Sequence, residues 1–269
     1  MPNFWKMQAL GNDFVIWDNI QATVSPHTFD IKTLCDRHLG IGCDQMIFIE
    51  SAETADYACR FFNTDGSEAE QCGNGIRCVA AYLFLTQQLP ATAFTLQTKA
   101  GMIGLTYHTL DKITVNMGLP EFEPAKIPFL CDTQQNNYSL NVDNLSATIL
   151  SMGNPHAIIE VANLQTFPIA SYGAKIAQLP VFPNSVNVGF MKVINSQLIQ
   201  LQTFERGVGI THACGTNACA AVIAGIINQK LSSFVEVQLT YGSLWIEWRG
   251  PGHPVFMTGP AVKVFEGKI

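Results

Sequence analysis

Charged residues are scarce in this chain of 269 residues, making up 13% of the total. Together with 48% hydrophobic residues, this is typical of a folded chain and excludes an intrinsically disordered one. Basic residues are fewer than acidic ones: the chain has 15 lysines and arginines and 21 aspartates and glutamates, which gives a net charge of −6. Because no basic stripe is present, we expect no nucleic-acid partner.

Long apolar runs are also missing. The longest run of helical character, CAAVIAGII at 219–227, is too short to span a bilayer. The first residues, MPNFWKMQALGNDF, contain no apolar stretch behind a basic region, which a signal peptide would have. The sequence therefore predicts no membrane partner and a cytoplasmic location.

Motifs for metals and nucleotides are absent as well. No CxxC or HxxxH spacing occurs, and no GxGxxG or GxxxxGK[ST] follows a predicted strand. The few lysines have no context that indicates a cofactor. We therefore expect no metal and no cofactor. The eight cysteines are expected as thiols, since cytosolic proteins rarely form disulfides.

What the chain does have is an internal repeat. Gly11-Asn12 recurs 142 positions later as Gly153-Asn154. The same offset relates Phe48 to Phe190, Phe62 to Phe204, Cys72-Gly73 to Cys214-Gly215 and Thr98 to Thr240, and in kind Gln45 to Asn187 and Asn63 to Glu205. One offset held over almost ninety residues indicates a duplication that gives two similar domains.

The predicted fold class is α/β of the α+β type, with two pseudo-symmetric domains. The N-terminal domain comprises 1–118 plus 261–269, and the C-terminal domain comprises 119–260. Short β-branched and aromatic runs with Gly, Pro and Asn borders predict strands in both. GIRCVAAYLFL and NACAAVIAGII are apolar on nearly every face, so each predicts a buried central helix inside a barrel-like, mostly antiparallel sheet.

Three further segments carry predictions. Helices are expected at FDIKTLCDRHL (29–39) and at its counterpart SYGAKIAQL (171–179). The proline-rich, polar segment 120–139 is expected to be an interdomain crossover. The final strand, AVKVFEGKI, is expected to return to the first domain.

Cys72 and Cys214 stand apart from the other cysteines. Each lies where a Gly-rich turn enters a predicted buried helix, in EQCGNGIRC and HACGTNACA. Free N–H groups and the helix dipole at such a start favour a carboxylate and a thiolate. Inverting a stereocentre requires an acid and a base on opposite faces of one carbon. A pair of equivalent cysteines facing each other across a cleft between the domains meets that requirement.

An alternative is that both cysteines only pack at glycine turns. Core packing is the prediction for Cys78 and Cys219, which lie inside the apolar helices. Cys35, Cys43, Cys59 and Cys131 have no special context.

The motifs LGNDF, HLGIGCDQ, FNTDGSEAEQCGNGIRC, MGNPH, ERGVGITHACGTNACAA and GPGHPVFMTGPA resemble, in order and over essentially the whole chain, those of the diaminopimelate epimerase family. The resemblance implies interconversion of LL- and meso-diaminopimelate without pyridoxal phosphate, metal or nucleotide, in a step that feeds lysine and peptidoglycan synthesis. It also implies a homodimer whose small-molecule partner is diaminopimelate.

Carried onto matching positions, the resemblance makes Cys72 and Cys214 the catalytic pair. Backbone N–H groups of Gly73-Asn74 and Gly215-Thr216 would bind the reacting carboxylate. Asn63, Asn154, Asn187 and Arg206 would hold the distal amino-acid end. Asn12, Gln45, Glu205 and His156 would complete the pocket. Taken singly, each Asn could instead shape a turn, Arg206 could form a surface ion pair and His156 could be structural.

Three positions depart from the family pattern. Ile210 stands where Glu is usual, Asn217 replaces a glycine after the second Cys-Gly, and Phe265 replaces Tyr in the strand that helps pair subunits. We expect Asn217 to be tolerated because Asn accepts positive φ. Two other functions stay open: a related racemase with another substrate, which the distal-end set disfavours, and a non-catalytic amino-acid-binding module, which the two retained cysteines disfavour.

Overall fold

A computed structural model describes residues 3–22 and 24–269. Residues 1, 2 and 23 of the predicted N-terminal domain lie outside the described residues. The chain divides into two compact units. Unit 1 comprises Met1–Asn116 and Thr258–Ile269, and unit 2 comprises Met117–Met257.

Eighteen strands and four α-helices make up the described chain. Unit 1 contains β1 Asn3–Ala9, β2 Asn12–Asp18, α1 Ile31–Cys35, β3 Gln45–Glu50, β4 Tyr57–Asn63, β5 Glu68–Ala69, α2 Gly73–Leu85, β6 Ala93–Thr98, β7 Gly101–Thr109, β8 Lys112–Asn116 and β18 Val262–Lys268. Unit 2 contains β9 Tyr138–Ser139, β10 Ser146–Ser151, β11 Pro155–Glu160, α3 Ile169–Ala177, β12 Asn187–Asn195, β13 Leu198–Glu205, β14 Gly209–Thr211, α4 Gly215–Ile227, β15 Phe234–Leu239 and β16 Gly242–Trp248. β17 Val255–Gly259 crosses the boundary of the units.

In unit 1 a mixed, mostly antiparallel sheet runs in the order β18-β1-β2-β3-β4-β6-β7-β8, with β5 beside β4. The β2–β3 and β4–β6 pairs are parallel. The central helix α2 contacts β1, β2 and β18 at one end of the sheet and β7 and β8 at the other. The sheet therefore curves around this helix, whose residues Asn74–Leu83 are all buried.

Unit 2 repeats the plan. Its sheet runs β9-β10-β11-β12-β13-β15-β16, with β14 beside β13 and parallel pairs at β11–β12 and β13–β15. The central helix α4 contacts β10, β11, β12, β13, β15 and β16 and is buried along most of its length. The predicted fold class is confirmed in both units: a mixed α/β fold with a curved sheet around one buried helix.

The duplication is visible element by element. The two central helices both have 13 residues and begin 142 positions apart. Phe14 lies opposite Gln45 in unit 1, and His156 lies opposite Asn187 in unit 2 with the same offset. After the helices the offset between matching residues falls to 141. The hairpin of unit 1 pairs Thr98 with Gly101, and the matching hairpin of unit 2 pairs Leu239 with Gly242. The expected match of Thr98 with Thr240 is therefore wrong.

Two local predictions need correction. The helix expected over 29–39 is only the five-residue α1, because the side chain of Asp36 accepts the N–H groups of His38 and Leu39 and turns the chain there. The segment 120–139 is more than a crossover, since Ile127, Phe129 and other apolar residues of it pack into the core of unit 2. None of the helices formed by residues 3–22 and 24–269 is long and apolar enough to span a membrane.

Candidate active site

Both central helices begin at a cysteine, as the sequence predicts. Cys72 precedes α2 with φ −146° and ψ 112°, and Cys214 precedes α4 with φ −124° and ψ 110°. In each helix the first intrahelical bond runs to the cysteine carbonyl, from Ile76 N in α2 (2.8 Å) and from Ala218 N in α4 (3.0 Å). The N–H groups of residues 73–74 and 215–216 precede the first residue that donates an intrahelical bond. They therefore lie at the positive end of the helix dipole.

In unit 1, Asn12 lies beside the start of α2. It follows the Leu10-Gly11 turn, in which both residues have positive φ (55° and 86°). Its Oδ1 lies 3.6 Å from Sγ of Cys72 and accepts a 3.2 Å hydrogen bond from Nδ2 of Asn74. The sequence-predicted residues Asn12, Cys72 and Asn74 are therefore brought together.

A charged network that the sequence interpretation missed holds Asn12 in place. Nδ2 of Asn12 donates to Oδ2 of Asp44 (2.8 Å), and Asp44 and Asp13 accept each other's backbone N–H groups (3.0 and 3.1 Å). Arg37 donates to Asp13 through both terminal nitrogens (2.9 and 2.7 Å) and to Asp44, and the buried Lys6 lies 2.6 Å from Asp13. Part of the signal was present: three of the four charged residues, Asp13, Arg37 and Asp44, lie in or beside the motifs LGNDF and HLGIGCDQ.

Arg77 supports the same region from inside. It is fully buried in α2, donates to Oδ1 of Asn74 (2.8 Å), and reaches the carbonyls of Pro260 and Gly73 (3.2 and 3.4 Å). A buried guanidinium with these acceptors fixes the Asn74 amide. The sequence did contain a signal for this role, because Arg77 lies within EQCGNGIRC, five residues after the cysteine.

Gln45 and Asn63 form a second pair in unit 1. They lie opposite each other at the ends of β3 and β4, and Nε2 of Gln45 donates to Oδ1 of Asn63 (2.8 Å). Asn63 in turn donates to Ser67 (3.1 Å). Oε1 of Gln45 is buried without a hydrogen-bond partner among the described residues, so it presents an acceptor suited to an ammonium group.

In unit 2 the predicted residues also cluster. Nε2 of His156 lies 2.9 Å from Oδ1 of Asn154, and burial, followed by the charge of Arg206, lowers the His156 pKa to about 3. The buried Asn187 donates to the carbonyl of Pro155 (3.2 Å) and accepts the backbone N–H of Arg206 (3.0 Å). His156 is therefore a neutral ring that orients Asn154.

Glu205 and Arg206 end β13 and enter a tight turn. Glu205 accepts a 2.5 Å hydrogen bond from Thr211, a residue that the sequence interpretation did not assign. Arg206 is exposed, and its guanidinium donates to the carbonyl of Asn184 (2.9 Å). Thr216, in the first turn of α4, lies with Oγ1 3.4 Å from Sγ of Cys214.

The three departures from the family pattern have different settings. Ile210 and Phe265 are exposed, and Phe265 packs edge-on against Phe4. Asn217 is fully buried and lies within α4, with no positive φ. The expectation that Asn217 adopts positive φ in a turn is therefore wrong: the position is helical, and the side chain must fit inside the core.

The remaining cysteines are mostly in cores. Cys78 and Cys219 are fully buried, as predicted. Cys35 and Cys43 have a context that the sequence did not reveal, since their sulfurs lie 3.4 Å apart in the core of unit 1. In the chain as described, which omits residues 1, 2 and 23, no group of three or more His, Cys, Asp or Glu side chains could hold a metal ion.

Comparison with known sequences identifies close relatives. The family model described as diaminopimelate epimerase matches residues 4–123 and 148–264. The diaminopimelate epimerase of Teredinibacter turnerae is 48% identical over 272 residues, which cover 99% of this chain and 98% of that protein. The diaminopimelate epimerase of Nitrosospira multiformis is 44% identical over 269 residues, which cover 99% and 97%.

Solved structures share the fold at low sequence identity. A PhzF-family phenazine biosynthesis protein of Bacillus anthracis has a TM-score of 0.72 at 18% identity and covers 100% of this chain and 98% of that one. A hydroxyproline epimerase of Agrobacterium vitis, solved with trans-4-hydroxy-L-proline, has a TM-score of 0.70 at 14% identity and covers 99% and 91%. These likenesses establish the two-domain fold.

The charged network around Asn12 predicts a pH-dependent stability. Burial opposes ionisation of Asp13, but hydrogen bonds from Arg37 and Lys6 outweigh it and lower its pKa from 3.8 to about 2. A depressed carboxylate pKa stabilises the fold above pH ~4, and this contribution is lost as the pH falls toward ~2. Asp13→Asn should therefore lower the unfolding free energy at pH 7 by about 2 kcal/mol.

Urea unfolding of wild type and Asp13→Asn between pH 7 and pH 3 measures this difference, which should narrow as the pH falls. Asp132→Asn, at an exposed carboxylate of unit 2, is the control and should unfold like wild type. A difference that stays constant with pH would contradict the assignment of this stabilisation to the Asp13 carboxylate.

Proposed function

The chain belongs to the diaminopimelate epimerase family, and on that premise we propose that Cys72 and Cys214 are the acid and base with which it interconverts LL- and meso-diaminopimelate. One observation carries this proposal: the two cysteines hold equivalent positions immediately before equivalent buried helices. The chemistry needs two groups that each act as base in one direction and as acid in the other, and two thiols meet this need.

The proposed reaction moves two protons. A thiolate removes the α-proton from one face of the carbon, and the other cysteine, as a thiol, delivers its proton to the opposite face. The first cysteine ends as the thiol and the second as the thiolate, so the enzyme that releases meso product is ready for the reverse reaction. Position within the positive end of a helix dipole favours the thiolate form of each.

The difficult step is the charge that develops as the α-proton leaves. We propose that the backbone N–H groups of Gly73, Asn74, Gly215 and Thr216 receive the reacting carboxylate. Fixed donors stabilise the negative charge that spreads onto this carboxylate in the transition state and need no reorganisation when it forms. Arg77 and Asn12 hold Asn74 for this task through the contacts described above.

The distal amino-acid end needs groups for a carboxylate and an ammonium. We propose that Arg206 binds the carboxylate with Asn154 and Asn187 amide groups, and that Glu205, held by Thr211, binds the ammonium. From unit 1, Asn63 and the buried acceptor Oε1 of Gln45 serve the same substrate. His156 supports Asn154 and does not touch substrate in this scheme.

We further propose that the enzyme is cytoplasmic and acts as a homodimer. A reducing compartment suits a chain in which all eight cysteines are thiols. For the dimer, the support is the strand β18, which pairs with β1 and leaves Val262, Val264 and Phe265 exposed at 45%, 54% and 46%. Apolar side chains grouped in this way are typical of a protein–protein contact.

The dimer proposal predicts that Phe265→Glu yields monomers, because a charge buried without a partner in an apolar interface is costly. Sedimentation velocity at micromolar concentration measures the state. Leu130→Glu, at an apolar residue of unit 2 that is 65% exposed, is the matched control and should leave the dimer intact. Equal sedimentation of wild type and Phe265→Glu as dimers would refute the assignment to β18.

The two-cysteine proposal predicts that Cys72→Ser and Cys214→Ser each lower kcat by at least about 100-fold, since a serine hydroxyl is a far weaker acid than a thiol. Epimerisation is followed by the loss of LL-diaminopimelate and by deuterium incorporation at the inverted carbon in D₂O. Cys131→Ser, at a partly exposed cysteine outside both helix starts, should retain wild-type kcat. Retention of inversion by either active-site variant would remove that cysteine from the mechanism.

Substrate choice is predicted to depend on Arg206. Arg206→Ala should raise KM for diaminopimelate by about 100-fold, because loss of a charge-assisted hydrogen bond costs roughly 1.5–3 kcal/mol. Arg249→Ala, at an exposed arginine whose partner is Glu247, is the matched control. A panel of proline, glutamate and lysine tests specificity: turnover of any of these as fast as diaminopimelate would contradict the role given to the distal residues.

A further inference from the structure

Gly75, in the first turn of α2, packs against three apolar side chains of unit 1. A Cβ added there would lie 2.8 Å from Cδ1 of Ile47, 3.0 Å from Cε1 of Phe61 and 3.1 Å from Cε1 of Phe14. These distances are shorter than ordinary carbon contacts, so a larger residue at this position would push these three side chains aside.

In unit 2, the four positions that correspond to Gly75, Ile47, Phe61 and Phe14 hold residues of a different chemical class. In the same order they are Asn217, Gly189, Thr203 and His156. The strand register supports the correspondence, since Gly189 lies opposite Thr203 just as their counterparts pair in unit 1. A Cβ on Gly189 would lie 2.2 Å from Oδ1 of Asn217. The Asn217 amide therefore occupies the space that an isoleucine side chain fills in unit 1.

This exchange puts four buried polar atoms on α4 and on two of the strands that it contacts, β11 and β13. Nδ2 and Oδ1 of Asn217, Oγ1 of Thr203 and Nδ1 of His156 have no hydrogen-bond partner anywhere in residues 3–22 and 24–269. Asn217 and His156 are 0% exposed, and Thr203 is 2% exposed. Buried polar groups are almost always hydrogen-bonded, to protein or to ordered water.

The two units also differ in the volume of these side chains. Histidine and threonine are smaller than the two phenylalanines that they replace, and Gly189 is smaller than Ile47, whereas Asn217 is larger than Gly75. The orphaned atoms comprise two donors, the Asn217 NH₂ and the Thr203 hydroxyl, and two acceptors, Oδ1 of Asn217 and Nδ1 of His156. Water both donates and accepts, so it matches this set, and buried water typically bonds to buried polar groups that lack other partners.

The protonation of His156 gives this site a role. Its Nε2 lies 2.9 Å from Oδ1 of Asn154, and an amide oxygen only accepts, so Nε2 carries the proton. A neutral ring with its proton on Nε2 has a lone pair on Nδ1, which requires a donor. Asn217 and Thr203 each carry a donor, but neither of these donors bonds to Nδ1 directly.

We propose that ordered water binds between Asn217, Thr203 and His156, donates to Nδ1 of His156, and so fixes the tautomer that orients Asn154 toward the substrate. Asn217 and Thr203 are then positioning residues for the distal end of diaminopimelate, and this part of the inference rests on the proposed function. With Oδ1 of Asn154 engaged by His156, its NH₂ group is left to donate to a carboxylate. If Nδ1 lost its donor, the proton could move to it, and Nε2 would then repel Oδ1 of Asn154.

The tautomer of His156 is read directly by ¹⁵N NMR of the imidazole nitrogens in the full-length, substrate-free protein. Wild type is expected to show a protonated Nε2 and an unprotonated Nδ1. Thr203→Val, which keeps side-chain shape, and Asn217→Gly, which restores the residue of unit 1, should both shift His156 toward the other tautomer. Each should raise KM for diaminopimelate by about tenfold, because one hydrogen bond to the charged substrate is lost. The change in kcat should be smaller. Thr203→Ser should restore both readouts.

Thr148→Val is the matched control, because Thr148 is a buried threonine of unit 2 whose hydroxyl binds Asn137 and Asn228 instead. It should unfold more easily while keeping the tautomer and KM of wild type. The inference is overturned if Thr203→Val and Asn217→Gly behave like Thr148→Val, that is, if they lose stability but keep the His156 tautomer and the KM of wild type. If wild type itself does not turn over diaminopimelate, the proposed function fails, whereas the tautomer measurement still decides whether the water site exists.

Discussion

The enclosure of one apolar helix in each curved sheet is the constraint on which the rest of the structure depends. α2 and α4 are buried along most of their length, so their backbone groups must be satisfied within the helix. Only the first turn has N–H groups that no intrahelical bond uses. Polar chemistry is therefore concentrated where each helix begins, and both helices begin at a cysteine. The same apolar surface that stabilises each unit thereby places a thiol at the positive end of a helix dipole.

The two units hold their site residues by different electrostatic means. Unit 1 uses full charges: Lys6, Arg37, Asp13 and Asp44 form a network that keeps Asn12 beside Cys72. Unit 2 uses neutral groups, with the buried, uncharged His156 orienting Asn154 and the amide of Asn187 holding the chain at Arg206. Duplicated backbones have thus kept the cysteines equivalent while the residues around them have diverged.

That divergence follows from close packing. In unit 1 the helix has the small residue, Gly75, and the sheet has the large one, Ile47. In unit 2 the sizes are exchanged, with Asn217 on the helix and Gly189 on the sheet. Either arrangement fits the core, but mixing them would produce a clash or a cavity. The departure at Asn217 is therefore explained by its partner across the helix–sheet contact, which no inspection of the Cys-Gly motif alone could reveal.

The sequence by itself determined the repeat, most strands, the two buried helices and the cysteines that begin them, because periodicity, glycine turns and a fixed offset are local signals. It also supplied the family motifs. Only the tertiary structure decided the short length of α1, the 141-residue offset of the later hairpins, the packing of segment 120–139 into unit 2, the Cys35–Cys43 contact, and the helical setting of Asn217. Each of these depends on which distant side chains share one volume or one hydrogen bond, and that is settled when the chain packs, since residues such as Gly189 and Asn217 are neighbours in space and not in sequence.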